Sequence, residues 1–452
     1  MTLLAIEWAS VGVKAAQFVL SFSILVVLHE LGHYLPAKWF KCRVEKFYLF
    51  FNPWFSLVKK KIGETEWGIG WIPFGGYVKI AGMVDESMDK EQMKLPPKQD
   101  EFRAKPAWQR LIIMVGGVTV NVILAIIIFI GIMWKWGEEY LPGKNLKYGI
   151  VADSLAKTIG LQDGDVILKV GEKPLRNALK MEGEIGLSGS NDITISRAGN
   201  ELTLPITKEL LQSLNSKAGM QRFGSIRVPF VVDGFSKGGN AEKAGIKKED
   251  RIIAIDSTTT PFFNDCVIAT QARAGKTANV KLIRNDKDTL VIPVPVSAEG
   301  KMGLAPSFNL SKLGFVVENK QYTFLESIPR GFALCGESLD KYITGIKQLF
   351  NGKAKASESL GSVFTIGSIF PSVWDWQMFW TLTALFSIIL AFMNILPIPA
   401  LDGGHALFCI IEMITGKKPS DKFMEYAQMV GMVLLLGLMA YAMGLDIWRM
   451  FR

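Results

Sequence analysis

Residues 11–33 read VGVKAAQFVLSFSILVVLHELGH, and this stretch decides the class of fold. Between Val11 and Leu28 the only charge is Lys14, and an apolar run of this length, at about 1.5 Å per residue, is long enough to cross a bilayer. A cleaved signal peptide would carry a basic leader and a small-residue cleavage site. The run shows neither, and polar chemistry follows it at once, so a retained span is expected. That chemistry is His29-Glu30-Leu31-Gly32-His33. At about 100° per helical residue, side chains four apart share a face, so both imidazoles can reach one divalent metal ion. With only 3 histidines in 452 residues, a chance H-E-x-x-H match is expected on the order of 0.001 times. An acid between two histidines at the edge of hydrocarbon is costly and marks function.

The rest of the chain agrees with a membrane protein. Hydrophobic residues make up 49% and charged residues 21%, with a mean hydropathy of +0.24, too apolar for a disordered chain. Further spans are expected at about Leu111–Trp136, at Leu382–Ile395 with extension back through Trp376, and at Met429–Met443. Four spans put both termini on one side. Lys38, Lys41, Arg43, Lys46, Arg103, Lys105 and Arg110 border spans one and two, which makes the loop between them cytoplasmic by the positive-inside rule. Lys417, Lys418 and Lys422 between spans three and four agree, whereas Arg449 and Arg452 at the outer end disagree mildly. The net charge of +9 is therefore topological, and nucleic acid is not an expected partner. Cys42, Cys266, Cys335 and Cys409 lie far apart without a CxxC pair, which argues against a disulfide framework or a thiolate metal site. The Lys59-Lys60-Lys61 run reads as a solvated flank attracted to anionic lipid.

The segment from about Lys147 to Leu310 is placed outside and contains a repeat. Ala156, Gly160, Leu161, Asp165, Ile167 and Val170 recur 85 positions later as Ala241, Gly245, Ile246, Asp250, Ile252 and Ile255. Each copy reads as a short helix ended by glycine, a polar turn and an alternating strand, and Pro205 to Arg227 reads as the linker between them. The pattern resembles the PDZ domain, whose role is to bind an extended peptide or a chain terminus by strand addition. Alternatively, both copies are ligand-free spacers or size filters.

A catalytic zinc needs a third protein ligand and an open position. The remaining histidine lies in Asn394-Ile-Leu-Pro-Ile-Pro-Ala-Leu-Asp402-Gly-Gly-His405, which follows span three as HELGH follows span one. Spans one and three run in the same direction, so the two motifs are expected at one depth, with either Asp402 or His405 as ligand. Prolines and the Gly403-Gly404 pair break the helix, which is tolerated at membrane depth only where the backbone is buried or lines a watery cavity.

H-E-x-x-H in one span and N-x-x-P-x-P-x-L-D-G in a later one resemble the site-2 protease family of intramembrane zinc metalloproteases. The tandem repeat narrows the resemblance to the RseP-like branch with tandem PDZ domains. Ile72-Pro-Phe-Gly-Gly-Tyr-Val-Lys79 resembles the family's membrane-dipping β-hairpin, and Phe102–Arg110 its lead-in to span two. The family's G-P-x-x-N appears here as Gly117-Val118-Thr-Val-Asn121, without the proline. The resemblance implies that His29, His33 and Asp402 bind Zn2+, that Glu30 is the general base, and that His405 is a neighbour of the ligands. It further implies that Asn394 donates to substrate backbone; the Gly75-Gly76 segment either offers a strand edge to an unwound substrate or only shields the site.

The expected fold is a polytopic α-helical membrane protein of about four spans, with two extramembrane PDZ-like α+β domains and a membrane-associated β-hairpin. Its expected divisions are 1–136 (spans one and two with the hairpin), 137–227 and 228–310 (the PDZ-like domains), 311–375 (an amphipathic connector containing 337–350 and the family-like 361–367) and 376–452 (spans three and four). The implied activity is endoproteolysis of single-span membrane proteins, such as an anti-sigma factor already shortened by another protease, or remnant signal peptides. The implied setting is the bacterial inner membrane among lipids, with the repeat periplasmic and the site near the cytoplasmic side. Two other classes compete: a non-catalytic zinc-containing scaffold that binds peptides, and a metal or ion transporter. An intact Glu30 beside an open three-ligand site opposes the first, and the lack of an inverted repeat of broken helices opposes the second.

Overall fold

The apolar run that opens the chain is part of a longer helix: in the computed structural model, α1 spans Trp8–Trp39. The structure describes residues 8–83, 96–215, 223–236 and 238–450; Arg452 lies outside them. Two compact units emerge, one comprising residues 1–137, 321–343 and 360–452, the other 138–320 and 344–359.

Among the described residues, the first unit holds four helices long and apolar enough to cross a membrane. They are α1, α2 (Ala107–Trp136), α5 (Trp376–Ile395) and α7 (Asp421–Met450). Between them come α3 (Phe324–Phe350), whose last turns belong to the second unit, α4 (Val363–Ile369) and α6 (Asp402–Thr415). α2 runs unbroken through Val118, the position where a proline is absent. α1 and α2 cross at glycines: a Cβ on Gly32 would lie 2.5 Å from the Gly116 carbonyl oxygen, and one on Gly116 would strike the Gly32 oxygen. Small residues let helices touch in lipid. This crossing brings the histidine face of α1 against the backbone of α2.

A four-stranded sheet follows α1: β1 (Val44–Phe51), β2 (Val58–Ile62), β3 (Thr65–Ile69) and β4 (Ile72–Ile80), in the order β2-β3-β1-β4. The segment 72–79 is thus not one arm of a simple hairpin. β1 pairs antiparallel with β4 and parallel with β3, because its apolar sequence VEKFYLFF supplies an inner strand. The hairpin proper is β2–β3, turning at Gly63 with φ 62°, and all of β2, with Lys59, Lys60 and Lys61, is exposed. Among the described strands, β4 pairs with β1 alone.

In the second unit the repeat is structural. Strands 200–205, 192–197, 166–170 and 173–174 form one sheet, and 288–295, 277–284, 251–255 and 258–259 form another in the same order. Each copy has its own apolar core. Each also holds a buried aspartate on an arginine: Arg197 grips Asp165 at 2.7 and 2.8 Å and donates to the Gly160 carbonyl, and Arg284 grips Asp250 at 2.7 and 2.8 Å and donates to that of Gly245. The stretch expected as a linker is partly core. Lys208–Leu214 forms a helix that buries Leu210, Leu211 and Leu214, and Gly224–Ile226 pairs with Ile150–Ala152. Apolar residues at helical spacing there needed a surface to cover.

Burial pushes the Asp250 carboxyl up, but the Arg284 guanidinium and the Lys247 amide outweigh it and hold the group below its usual range. Its contribution to stability is therefore complete above about pH 4 and is lost as the pH falls through the lowered value. Asp250→Ala should destabilise this copy by about 3 kcal/mol and make it less sensitive to acid than the wild type. Faster hydrogen exchange of the 251–255 amides at neutral pH checks the first effect, and the same measurement near pH 3 checks the second.

Candidate metal centre

Three polar atoms converge where α1, α2 and the start of α6 meet. His29 Nε2 lies 3.2 Å from Asp402 Oδ2, His33 Nε2 lies 3.3 Å from the same oxygen, and the two nitrogens are 3.3 Å apart. Metal–ligand bonds of about 2.05 Å in a tetrahedron separate ligand atoms by about 3.3 Å. The triangle has that size. Asp402 Oδ2 is buried and accepts no hydrogen bond, the condition of an oxygen aimed at a cation. Among the described residues this is the one cluster of three such ligand atoms within reach of a single ion. The donor set, two imidazoles and a carboxylate, suits zinc and leaves a fourth position open.

The backbone and the neighbouring polar groups set each ligand. His33 Nδ1–H donates to the Ile113 carbonyl oxygen at 2.8 Å, so the lone pair of Nε2 faces the triangle. The amide of Asn121 lies 3.1 Å from His29 Nδ1, and its Oδ1 is otherwise without a partner. With that amide turned so that Oδ1 accepts from Nδ1–H, the oxygen is satisfied and His29 also presents a bare Nε2. A Cβ on Gly117 would strike His33 Nε2 and come 2.6 Å from His29 Cε1, so both rings rest on bare backbone. Asp402 opens α6, and Gly403 and Gly404 sit so close to the carbonyls of Ile395 and Ile398 that no side chain fits there. Arg110 of α2 pairs with Glu412 of α6 and ties the two helices together.

A cavity of about 430 Å³ surrounds the triangle, lined among others by Glu30, Gly76, Val78, Leu401, Asp402 and His405. Glu30 faces the backbone amide of Val78 in β4, the last strand in the sheet order. Asn394, at the end of α5, places Nδ2 3.3 Å from His29 Nε2. His405 lines the cavity but contributes no atom to the triangle. Of the two glycines, Gly76 reaches the cavity and packs against Val26 and the Tyr48 carbonyl, whereas Gly75, at φ 72°, turns the strand beside the Phe51 ring. Spacing and motif alone assign no role to Gly117, Asn121 or the carbonyl of Ile113, although a lone asparagine in an apolar span is itself a signal.

The model of peptidase family M50 matches residues 17–438, nearly the whole chain and all of these groups. The chain belongs to peptidase family M50. It is similar to the regulator of sigma E protease of Haemophilus influenzae, at 26% identity over 96% of this chain and 98% of that protein. It is likewise similar to metalloprotease MmpA of Caulobacter vibrioides, at 27% identity over 94% and 93%. Other relatives of the same extent are named as zinc metalloproteases. As a member of the site-2 protease family, the chain is a zinc metalloendopeptidase with four candidate membrane spans.

Proposed function

We propose that His29, His33 and Asp402 hold the zinc ion, that Glu30 is the general base, and that the substrate is a single-span membrane protein cut within its membrane segment. The triangle of ligand atoms 3.2–3.3 Å apart is the observation that carries this reading. Bound there, zinc supplies Lewis acidity that acidifies a water and polarises the scissile carbonyl. Glu30 takes the proton of the attacking water on a carboxylate oxygen and returns it to the leaving amine. A helical substrate satisfies its amides internally, so it must be unwound before it can be cut. The outer edge of β4, the last strand in the sheet order, takes the unwound segment by strand addition and draws it past Glu30, and the Asn394 amide donates to its backbone.

The repeated units, 137–227 and 228–310, are PDZ-like and face the periplasm, with the site near the cytoplasmic face of a bacterial inner membrane. Their role is to exclude substrates whose outer domains are still bulky, so that trimmed anti-sigma-type regulators and remnant signal peptides enter; the duplicated sheet and aspartate–arginine pair support two copies of one such module. In the intact protein, a single-span substrate with a folded outer domain should be cut at least about tenfold more slowly than its trimmed form, a barrier of about 1.4 kcal/mol. Equal rates for the two, measured by gel mobility of the tagged products, contradict the filter.

A further inference from the structure

Helix α7 meets the rest of its unit through surface contacts, such as Phe423 on the Phe408 ring of α6, and through two buried positions. Among its described residues only Gly431 and Asp446 are buried; the other positions are exposed or half-buried. Asp446 accepts hydrogen bonds from the Ser362 amide at 2.9 Å and the Thr365 hydroxyl at 2.7 Å, and pairs with Arg449 at 2.8 Å, which fastens the helix to the start of α4. Gly431, about 22 Å away along the helix, meets the turn between α5 and α6. A Cβ there would clash with the Pro399 carbonyl oxygen and lie 3.4 Å from Ala400 Cβ. The same turn is also in close contact with Gly403 and Gly404.

That turn is strained. Ala400 has φ 95°, which an L side chain resists, and it stands two residues before Asp402. Such a conformation persists only where its surroundings impose it, and the bare backbone of Gly431 is one of the surfaces that do so. We propose that Gly431 is a positioning residue: α7, seated through it, holds the Pro399–Ala400 turn in its strained form and thereby keeps Asp402 at the two histidines. The last span thus controls how tightly the metal is held. This inference rests on the assignment of Asp402 as a ligand.

The test is zinc retention by the full-length protein in detergent, read as the chelator concentration that removes half of the metal. Gly431→Ala should lose zinc at about tenfold lower chelator, as expected for release of one strained residue. Gly437→Ala gains the same helix propensity on the same helix and meets nothing within 4 Å, so it should match wild type. Ala400→Gly accepts the positive φ without strain, and added to Gly431→Ala it should restore at least about a third of the lost retention. Asp402→Ala separates the two claims: if it keeps zinc, the ligand assignment fails, whereas if it loses zinc while Gly431→Ala matches Gly437→Ala, only the positioning role fails. Failure of Ala400→Gly to restore any retention also overturns the role. Should Gly431→Ala not fold, Asp446→Asn must by itself lower retention by about threefold by loosening the other buried contact of α7, and an unchanged value overturns the proposal.

Discussion

Glu30→Gln should leave zinc bound within about twofold and lower substrate cleavage by about 10³-fold or more, the upper part of the range for loss of a general base. Glutamine keeps the length and the carbonyl oxygen that faces the Val78 amide, so the β4 edge stays in place. It cannot accept a proton from water or return one to the leaving amine. Metal analysis and a cleavage time course on the same sample check both halves of the expectation. Loss of zinc together with activity would make Glu30 a structural support of the site, and full activity would remove it from the mechanism.

Asp402→Ala should lower zinc affinity by at least about 100-fold and abolish cleavage, because loss of a ligand exceeds the effect of losing a supporting neighbour. His405→Ala should cost at most about tenfold in affinity. The contrast follows from geometry: Asp402 Oδ2 is within 3.3 Å of both histidine nitrogens, and His405 lines the cavity without joining them. Zinc retained in Asp402→Ala and lost in His405→Ala, measured by competition with a chromogenic chelator, would reverse the assignment.

The choice between these two residues shows where sequence reading stopped. Asp402 and His405 are three apart and share a helical face, so spacing alone left both open as ligands. Only the position of α6 against α1 distinguishes them, and that depends on turns at Pro397, Pro399 and Ala400 whose path is not a periodicity. The four apolar helices were legible because bilayer thickness sets a length that composition reveals. The repeat was legible because its buried positions recur at a constant offset.

Asn121 and Gly117 were not assigned, because their roles arise from the glycine crossing of α1 and α2, a contact between residues about 85 apart in the chain. The sheet was read only as a hairpin for a related reason. Val44–Phe51 has neither clean alternation nor an adjacent partner, and its parallel pairing with β3 is non-local. In the stretch 205–227, polar residues concealed Leu210, Leu211 and Leu214, whose spacing on a short helix is weak evidence until a core exists for them to fill.

The most direct test of the central claim is to map the bond cut in a tagged single-span substrate by mass spectrometry, using purified protein as isolated, after chelation, and after chelation with zinc restored. A single cluster of cuts inside the membrane segment, absent after chelation and regained with zinc, is the predicted result. Cuts confined to the substrate's outer or inner tails, or cuts inside the segment that persist in the chelated sample, would contradict a zinc-dependent peptidase acting at the His29, His33 and Asp402 site.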